Sequence, residues 1–561
     1  MKKFFTILGI IVVVLILIAV ILPFVMDVNR FKPTLETDLT NALGRKVEIG
    51  NIGLSILSGS VKVDNVVIAD DPAFSHSPFL QAKQLKAGVA LMPLIFSKKL
   101  EVSSFTVTDP QVSLLHSSSG KWNFSSLGQS GSNAPASAGS APSGKSPSGS
   151  SSSSSAAAGL SVGELKIVNG TIVVGRIGAG GKTQTYQDVN LEASDLSYTS
   201  QFPFKFSAKT PGDGSVKIEG KAGPVDPNDS SLTPLSATVD VEHLDIASTG
   251  FVDPSSGLAG FIDFTSALAS DGREMTSKGT VKANKIKAVA GGSPSRVPVK
   301  VDYDTTYVLK KQTGSLQEGD VHIGKALAHL TGTYDTAGVT ATVQMKLNGQ
   351  AMPVADLEGI LPAAGVTLPS GASLTAGSLD LNLAISGPVD RLVIAGPVNL
   401  SNGKLSGFNL KSKLGALGSF AGLGGGGGGS DTEIQKLSAN LHVDPSGTQA
   451  NDLDVVVPSI GTVTGTANVS ASQKLDCKMS AKLAGGIGTV TSALGSLGGS
   501  KNSQGGGIPF TITGTTSSPI FLPDVKGMAG NMVKGVGGDA GGATGAAKGA
   551  LGGLFGKKKS Q

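Results

Sequence analysis

The chain has 561 residues, including 78 Gly, 27 Pro, 1 Cys and 1 Trp, with 16% charged residues and a net charge of only +5. A single cysteine excludes an intramolecular disulfide framework, and a small net charge without a dense Lys/Arg stripe in the body excludes nucleic acid as a partner. Rich in Gly, Ser, Thr and Val and poor in aromatics, the chain is long enough for several domains and suits strands joined by tight turns rather than long amphipathic helices.

Residues 1–26 form the first element. Lys2 and Lys3 precede an apolar run from Phe4 to Met26 that includes Ile7, Leu15 and Leu22, with no charge before Asp27. At ~1.5 Å per residue, about 20 such residues cross a hydrocarbon core of about 30 Å. The lysines predict a cytoplasmic N-terminus with everything from Asp27 onward across the membrane. A cleaved secretory signal would need a shorter apolar core and a small-residue pair, which Ile21 to Met26 does not offer, so the run reads as an uncleaved signal anchor.

Residues 27–128 read as an N-terminal β block. It opens with Val28, Phe31, Leu35, Leu39 and Leu43 at helical spacing, stopped by Gly44. This predicts a short amphipathic helix set against the membrane exit or capping a sheet edge. Extended structure begins at Arg45 to Ile49. The apolar phase slips by one residue between Val63 and Val66, and again between Leu100 and Val107. Such slips predict β-bulges or sharp bends, which curl a sheet. Residues 129–159, a Ser/Gly/Ala/Pro tract, lack the apolar surface that offsets ordering entropy and read as a flexible linker.

Strands recur through a middle region, 160–350, and a C-terminal region, 351–525. Phe202, Phe204 and Phe206 alternate with polar or proline neighbours; so do Val339, Val343 and Leu347, and then Leu379, Leu381, Leu383 and Ile385. Period two with one apolar face is the pattern of antiparallel sheet. Gly-Pro phrases such as Gly387-Pro388 and Gly396-Pro397 mark strand ends and hint at a degenerate repeat of no fixed period. Helical islands are predicted at 353–361 and 410–423, the second followed by a glycine hinge at 424–429. The Gly/Ala-rich tail, 526–561, ends in Lys557-Lys558-Lys559 and reads as disordered. The fold class is therefore mainly β: one N-terminal transmembrane helix, then an extended, curled antiparallel sheet forming a groove, with a few short helices.

No hydrolase elbow, zinc-helix motif, phosphate loop or paired Cys-x-x-Cys is present. His76, His116, His243, His322, His329 and His442 are scattered, and no spacing suits a metal. Asp70-Asp71, just before Pro72, reads as a turn, and Lys182 as part of a hairpin turn. Cys477 alternates with charged residues as a buried structural thiol would. The expectation is a non-enzyme with no catalytic, cofactor or metal site. The candidate functional surface is an apolar groove face carrying Val339, Val343, Leu347, Leu379, Leu381, Leu383 and Ile385.

Several phrases resemble the AsmA family of Gram-negative envelope proteins. They are the anchor with Asn29-Arg30-Phe31-Lys32-Pro33, Leu43-Gly44-Arg45-Lys46-Val47, Asp64-Asn65-Val66-Val67-Ile68-Ala69-Asp70-Asp71-Pro72, and Gly120-Lys121-Trp122-Asn123-Phe124. Val398 to Leu410 and Ile508 to Thr515 continue the likeness toward the C-terminus. The Ser-rich insert and the Gly/Ala tail depart from it. The resemblance implies a single-pass inner-membrane protein with its bulk in the periplasm, a chorein-like N-terminal block, and a part in outer-membrane biogenesis. It implies phospholipid bound or conducted along the groove, as in bridge-like lipid transporters. A second reading is an assembly factor that targets and inserts outer-membrane proteins through exposed sheet edges without moving lipid. A third is a passive structural β protein.

Overall fold

The structure, a computed structural model, describes residues 28–55, 59–89, 102–117, 121–127, 162–177, 183–196, 199–226, 232–252, 256–289, 291–338, 340–413, 429–483 and 507–524. The apolar run 4–26, the linker 129–159, the Lys182 turn, Val339, most of the 410–423 island, the hinge from 424 to 428 and the tail lie outside these residues. Among the described residues no helix is long and apolar enough to cross a membrane.

The protein is mainly β: the described residues form twenty-four strands in one open, curled sheet, with a few short helices. Strands β1 (Val47–Glu48) and β2 (Ile52–Ser55) both pair with β3 (Ser60–Ala69), which is followed by β4 (Pro78–Val89) and β5 (Val102–His116). Next come β6 (Val162–Arg176), β7 (Thr183–Leu196), β8 (Phe202–Lys209), β9 (Ser215–Ala222), β10 (Leu235–Asp245) and β11 (Ala259–Ser270). The middle holds β12 (Glu274–Lys287), β13 (Val299–Val308), β14 (Thr313–Ile323), β15 (Ala326–Asp335), β16 (Thr342–Pro353) and β17 (Ser373–Pro388). The sheet ends with β18 (Val393–Ser406), β19 (Thr432–Asp444), β20 (Gly447–Val457), β21 (Gly461–Ser470), β22 (Leu475–Leu483), β23 (Ile508–Gly514) and β24 (Pro519–Pro523). From β3 onward each strand pairs with the next. All these pairs are antiparallel except β5–β6, where Val107 lies beside Ile167 in parallel register. The expectation of a wholly antiparallel sheet is corrected at this one place. There the 45 intervening residues, 117–161, let β6 start at the same end as β5, which a tight hairpin does not allow.

Curvature comes from residues that leave the extended region. Asn65, Asp109, Asn169, Asp188, His243, Lys285, Ala351, Asn402 and Asp452 all lie inside strands with φ between 47° and 55°. At three of these sites a side chain from the next strand captures the turned-out amide. Asn169 N–H donates to Asn190 Oδ1 at 3.0 Å, His243 N–H to Asp263 Oδ1 at 2.9 Å, and Ala351 N–H to Asp380 Oδ1 at 2.7 Å. A bulge amide with no ladder partner would otherwise be an unpaid polar group. The last two sites share more: a short helix follows (Ile246–Ser248, Val354–Leu357), and a glycine with positive φ (Gly260, Gly377) stands three residues before the capturing aspartate.

The helical segment between β16 and β17, 354–364, rests on the apolar face, where Leu357 packs with Ala326, Ala328, Met352, Leu379 and Leu381. It also binds the extension of β12, through Ala288 N–H to Ala363 O at 3.0 Å and Arg296 N–H to Gly359 O at 2.9 Å. The following residues reach the turns that end β21 and β23: Gln473 Nε2 donates to Gly365 O at 2.6 Å and Ser370 N–H to Ser517 O at 3.1 Å. In a flat sheet those turns would lie at the opposite edge from the start of β17. A twist of ~20–25° per strand rotates β23 by roughly 120° or more relative to β17 and brings them together. The sheet therefore curls toward its apolar face.

Three sequence phrases meet at one buried point in the N-terminal block. Arg45 Nη1 pairs with Asp70 Oδ1 at 2.9 Å, and Arg45 Nη2 donates to Asn123 O and to Ser126 Oγ. Asn123, with no exposed surface, donates to both Asp70 oxygens and to Ser113 O, and accepts from Leu115 N–H at 3.0 Å. Asp70 is thus more than the turn residue the sequence suggests, whereas Asp71 does form the turn, accepting from Ala73 N–H at 3.0 Å. A buried ion pair is stable only when its remaining lone pairs and protons are satisfied, and here Asn123 satisfies them.

Asn123→Ala is expected to cost about 2–4 kcal/mol, because a buried carboxylate and two backbone groups lose partners. Denaturant unfolding followed by the fluorescence of Trp122, the only tryptophan, measures it; an unchanged midpoint refutes it. The Ala73 amide and then the Ser126 hydroxyl hold the Asp71 carboxyl below the usual carboxylate range. A carboxyl depressed on folding stabilises above its unfolded pKa of about 4 and loses that contribution as pH falls through the folded value. Asp71→Asn should therefore lower the unfolding midpoint at neutral pH and have little effect in strong acid.

Candidate functional site

Alternation along each strand and the register between strands together build transverse apolar rows. On one face Ile52 lies opposite Val63, Val63 opposite Leu85, and Leu85 opposite Val107. The row continues through Ile167, Leu191, Phe206, Ile218 and Val239, so it runs unbroken from β2 to β10. A second row begins at Met352 in β16 and passes through Leu379, Leu400, Leu437, Val455, Val463 and Ala481 to Ile508 in β23. Both rows survive the bulges because their pairings fall in segments that lie to one side of the register shifts.

Most of these side chains are half-buried. Val63, Leu85, Val107, Ile167, Leu191, Phe206, Ile218 and Val239 are neither sealed nor free. Among the described residues strands pack on their hydrogen-bonded neighbours and not on a second sheet. A β-sandwich would sequester such a row completely against a facing sheet about 10 Å away. Here the cover comes from curvature, from neighbours in the row and, locally, from the segments that follow β10 and β16. Stacked at ~4.8 Å each, strands β3 to β24 give the face a curved length of about 100 Å.

The opposite face is polar and fixes the register. Lys166 lies opposite Glu192 at 3.4 Å, Lys205 opposite Glu219 at 3.8 Å, and Lys278 opposite Asp304 at 3.3 Å. Each exposed pair contributes little energy, yet a one-residue slip would break every pair and expose every apolar row. A shallow depression of about 520 Å³ on this side is lined by His329, Thr331, Lys346, Asn348, Asn382, Ala384 and Ala395.

The predicted groove residues that are described fall on the apolar face. Val343, Leu347, Leu379, Leu381, Leu383 and Ile385 are half-buried, while Thr342, Gln344, Lys346, Asn348 and Asn382 between them are exposed. Leu347 lies directly opposite Leu383, and Ile385 opposite Met345. The sequence reading left out the N-terminal row. Its signal was present in Phe202, Phe204 and Phe206, but the row takes one residue from each strand, and only pairing lines them up.

Between the two rows the apolar face carries hydroxyls. Ser266, Ser277 and Tyr303 bond mutually at 2.8–2.9 Å, Tyr334 OH meets Thr305 Oγ1 at 2.9 Å, and Tyr307 stacks on Tyr334 with ring centroids 6.1 Å apart. The Tyr334 ring lies over Gly314, where a Cβ would come within 2.1 Å of the ring. The floor is level there because that position has no side chain. Near the other end of the first trough the segment after β10 crosses the same face: Tyr186 OH donates to Thr249 O at 2.8 Å, and Phe251 lies against Trp122 with centroids 6.1 Å apart. Among the described residues no cluster of three or more His, Cys, Asp or Glu is placed to hold a metal ion.

The family model of the AsmA family matches residues 1–293. No curated protein and no solved structure matches the chain. The matched part holds the Arg45–Asp70–Asn123 network, the whole first apolar row and β1 to β12.

Cys477 lies on the apolar face, 4% exposed, within a cluster of Val463, Met479, Ala481 and Phe510. Burial pushes its thiol pKa up, so the nucleophilic thiolate is scarce. The folded protein should take no maleimide at neutral pH and should take one equivalent in denaturant, read as a mass shift. Rapid labelling of the native chain would show that this part of the face is open to water.

Proposed function

The chain belongs to the AsmA family, and on that premise we propose that it is anchored in the inner membrane by residues 4–26 and binds or conducts phospholipid along its apolar face in the periplasm. One observation carries the proposal: two long rows of half-buried apolar side chains run across the strands on a single-layer sheet. Acyl chains laid on such a row would gain about 0.8 kcal/mol for each methylene removed from water. A row of near-equivalent Val, Leu, Ile and Phe side chains gives no one position a deep well, so the chains can slide. Headgroups would remain in water beyond the lip of the trough. The role calls for no catalytic group and no cofactor, and we propose none.

The sheet's edges favour lipid over an unfolded protein client. Strand addition needs an open edge. At the first edge, side chains of the N-terminal helix, Lys32–Leu43, and of Asn29 just before it already bond the amides of Val47, Ile49 and Ile52. At the last, Pro519 and Pro523 begin and end β24 and supply no N–H.

A photo-crosslinking amino acid at Phe206 or Leu383 in the full-length protein is expected to give phospholipid adducts in cells, with several-fold fewer at Lys205 and Asn382 on the polar face. Leu383→Asp should cut adduct formation at Leu347, its cross-strand partner, by a comparable factor. Equal yields from both faces, or none above background at any apolar site, would overturn the lipid reading. Co-purification of outer-membrane proteins in place of lipid would support the assembly-factor alternative.

A further inference from the structure

The N-terminal helix, Lys32–Leu43, is oriented opposite to a surface helix of a globular domain. It lies along the edge formed by β1 and β2, and polar side chains face the sheet. Thr40 Oγ1 accepts from Val47 N–H at 3.1 Å, Glu36 Oε1 from Ile49 N–H at 2.9 Å, and Asn29 Oδ1, just before the helix, from Ile52 N–H at 2.9 Å. These bonds satisfy donors that a bare edge strand would leave open. Among its apolar side chains, Leu43 at the far end packs against the Val47–Ile49–Ile52–Val66 cluster, as does Val28 before the helix.

Phe31, Leu35 and Leu39 point away from the protein, 58%, 40% and 40% exposed. At 100° per residue they share an arc of about 80°, with exposed Ala42 inside it. The sequence reading put these residues with Val28 and Leu43 on one helical face; the structure divides them, because the strand edge needs hydrogen-bond acceptors more than it needs apolar cover. Three large apolar groups in line on a solvent-facing helix cost free energy unless something covers them.

We propose that this stripe is an interfacial membrane contact: Phe31, Leu35 and Leu39 sink into the headgroup–acyl boundary of a phospholipid bilayer. The occupant follows from chain length. The apolar run ends at Met26, five residues before Phe31, so any bilayer holding that run lies within one or two helical turns of the stripe. The proposal rests on the anchor in the reading above. Thr34, Thr37 and Asn41 occupy the side that stays in water. The contact holds the β1–β3 edge, where the first apolar row begins, at the membrane surface, and fixes the angle at which the trough leaves it.

The test places a nitroxide label, one position at a time, from Thr34→Cys to Asn41→Cys in the full-length Cys477→Ala chain. The protein is reconstituted in vesicles of phosphatidylethanolamine with phosphatidylglycerol. Collision rates with dissolved oxygen and with a water-soluble nickel complex give depth. Labels at 35 and 39 are expected about 5–10 Å into the boundary, with labels at 37 and 41 in water, a helical period in the profile. A Leu15→Cys label reports the anchor separately. If Leu15 is in the bilayer and 35 and 39 are in water, the interfacial contact is wrong and the anchor stands. If Leu15 is in water, the anchor reading fails and this inference falls with it.

Discussion

A sheet with one apolar face and no second layer must rely chiefly on its own curvature to shelter that face, and most of this protein's structure follows from that constraint. A flat, half-apolar sheet of this size would pair with itself face to face or edge to edge. Curvature comes from strand residues in the left-handed region, and each costs backbone strain and also leaves an unsatisfied amide unless that amide is bound. The captures by Asn190, Asp263 and Asp380 therefore hold the curl as well as the local bulge. The same constraint explains the helical crossings after β10 and β16. Placed on the apolar side, they brace strands several places apart and limit how far the trough opens.

The N-terminal block solves a different problem, which is where so repetitive a sheet begins. Sequential strands with near-identical alternation can slip in register by two residues at small cost. The Arg45–Asp70–Asn123 network cannot be built in a slipped register, because it ties the end of the first helix, the end of β3 and the segment after β5 to one buried point. An ion pair of this kind adds little net stability when intact but penalises every arrangement that leaves one partner unpaired. With β3 to β5 so aligned, the cross-strand Lys–Glu and Lys–Asp pairs further on need only propagate the register.

Fold class and the identity of the apolar face were readable from period two alone, since Leu379, Leu381, Leu383 and Ile385 take the same side wherever their neighbours lie. The bulges announced themselves as phase slips, as at Asn65 and around Val102. What could not be read was anything set by pairing across long separations. The parallel β5–β6 step depends on a linker with no structural signal of its own. The buried network joins residues 25 and 53 positions apart, and nothing in the local sequence around Arg45, Asp70 or Asn123 announces the other two. The first apolar row draws one residue from each of nine strands, so no window of sequence holds it. The N-terminal helix was misjudged in one respect: helical periodicity reports that an apolar stripe exists, not what it faces.

Half-burial along the rows is the property that links this structure to a ligand. Had a second sheet closed over Leu191, Phe206 and Ile218, the added burial would have stabilised the protein by roughly 25 cal/mol for each Å² removed from water, and the face would have been lost as a binding surface. Left open without curvature, it would have bound other copies of itself. The observed state lies between these, with enough neighbour contact to hold side chains in place and enough remaining area to reward an apolar guest. A guest that must be elongated, apolar along its length and free to keep a polar end in water has the build of an acyl lipid. The hydroxyl-bearing waist at Ser266, Ser277, Tyr303 and Tyr334 then divides the face into two apolar stretches. On the proposed reading, a lipid crossing it would trade acyl contact for aromatic faces and hydroxyls, which would make the waist the step most sensitive to what is carried.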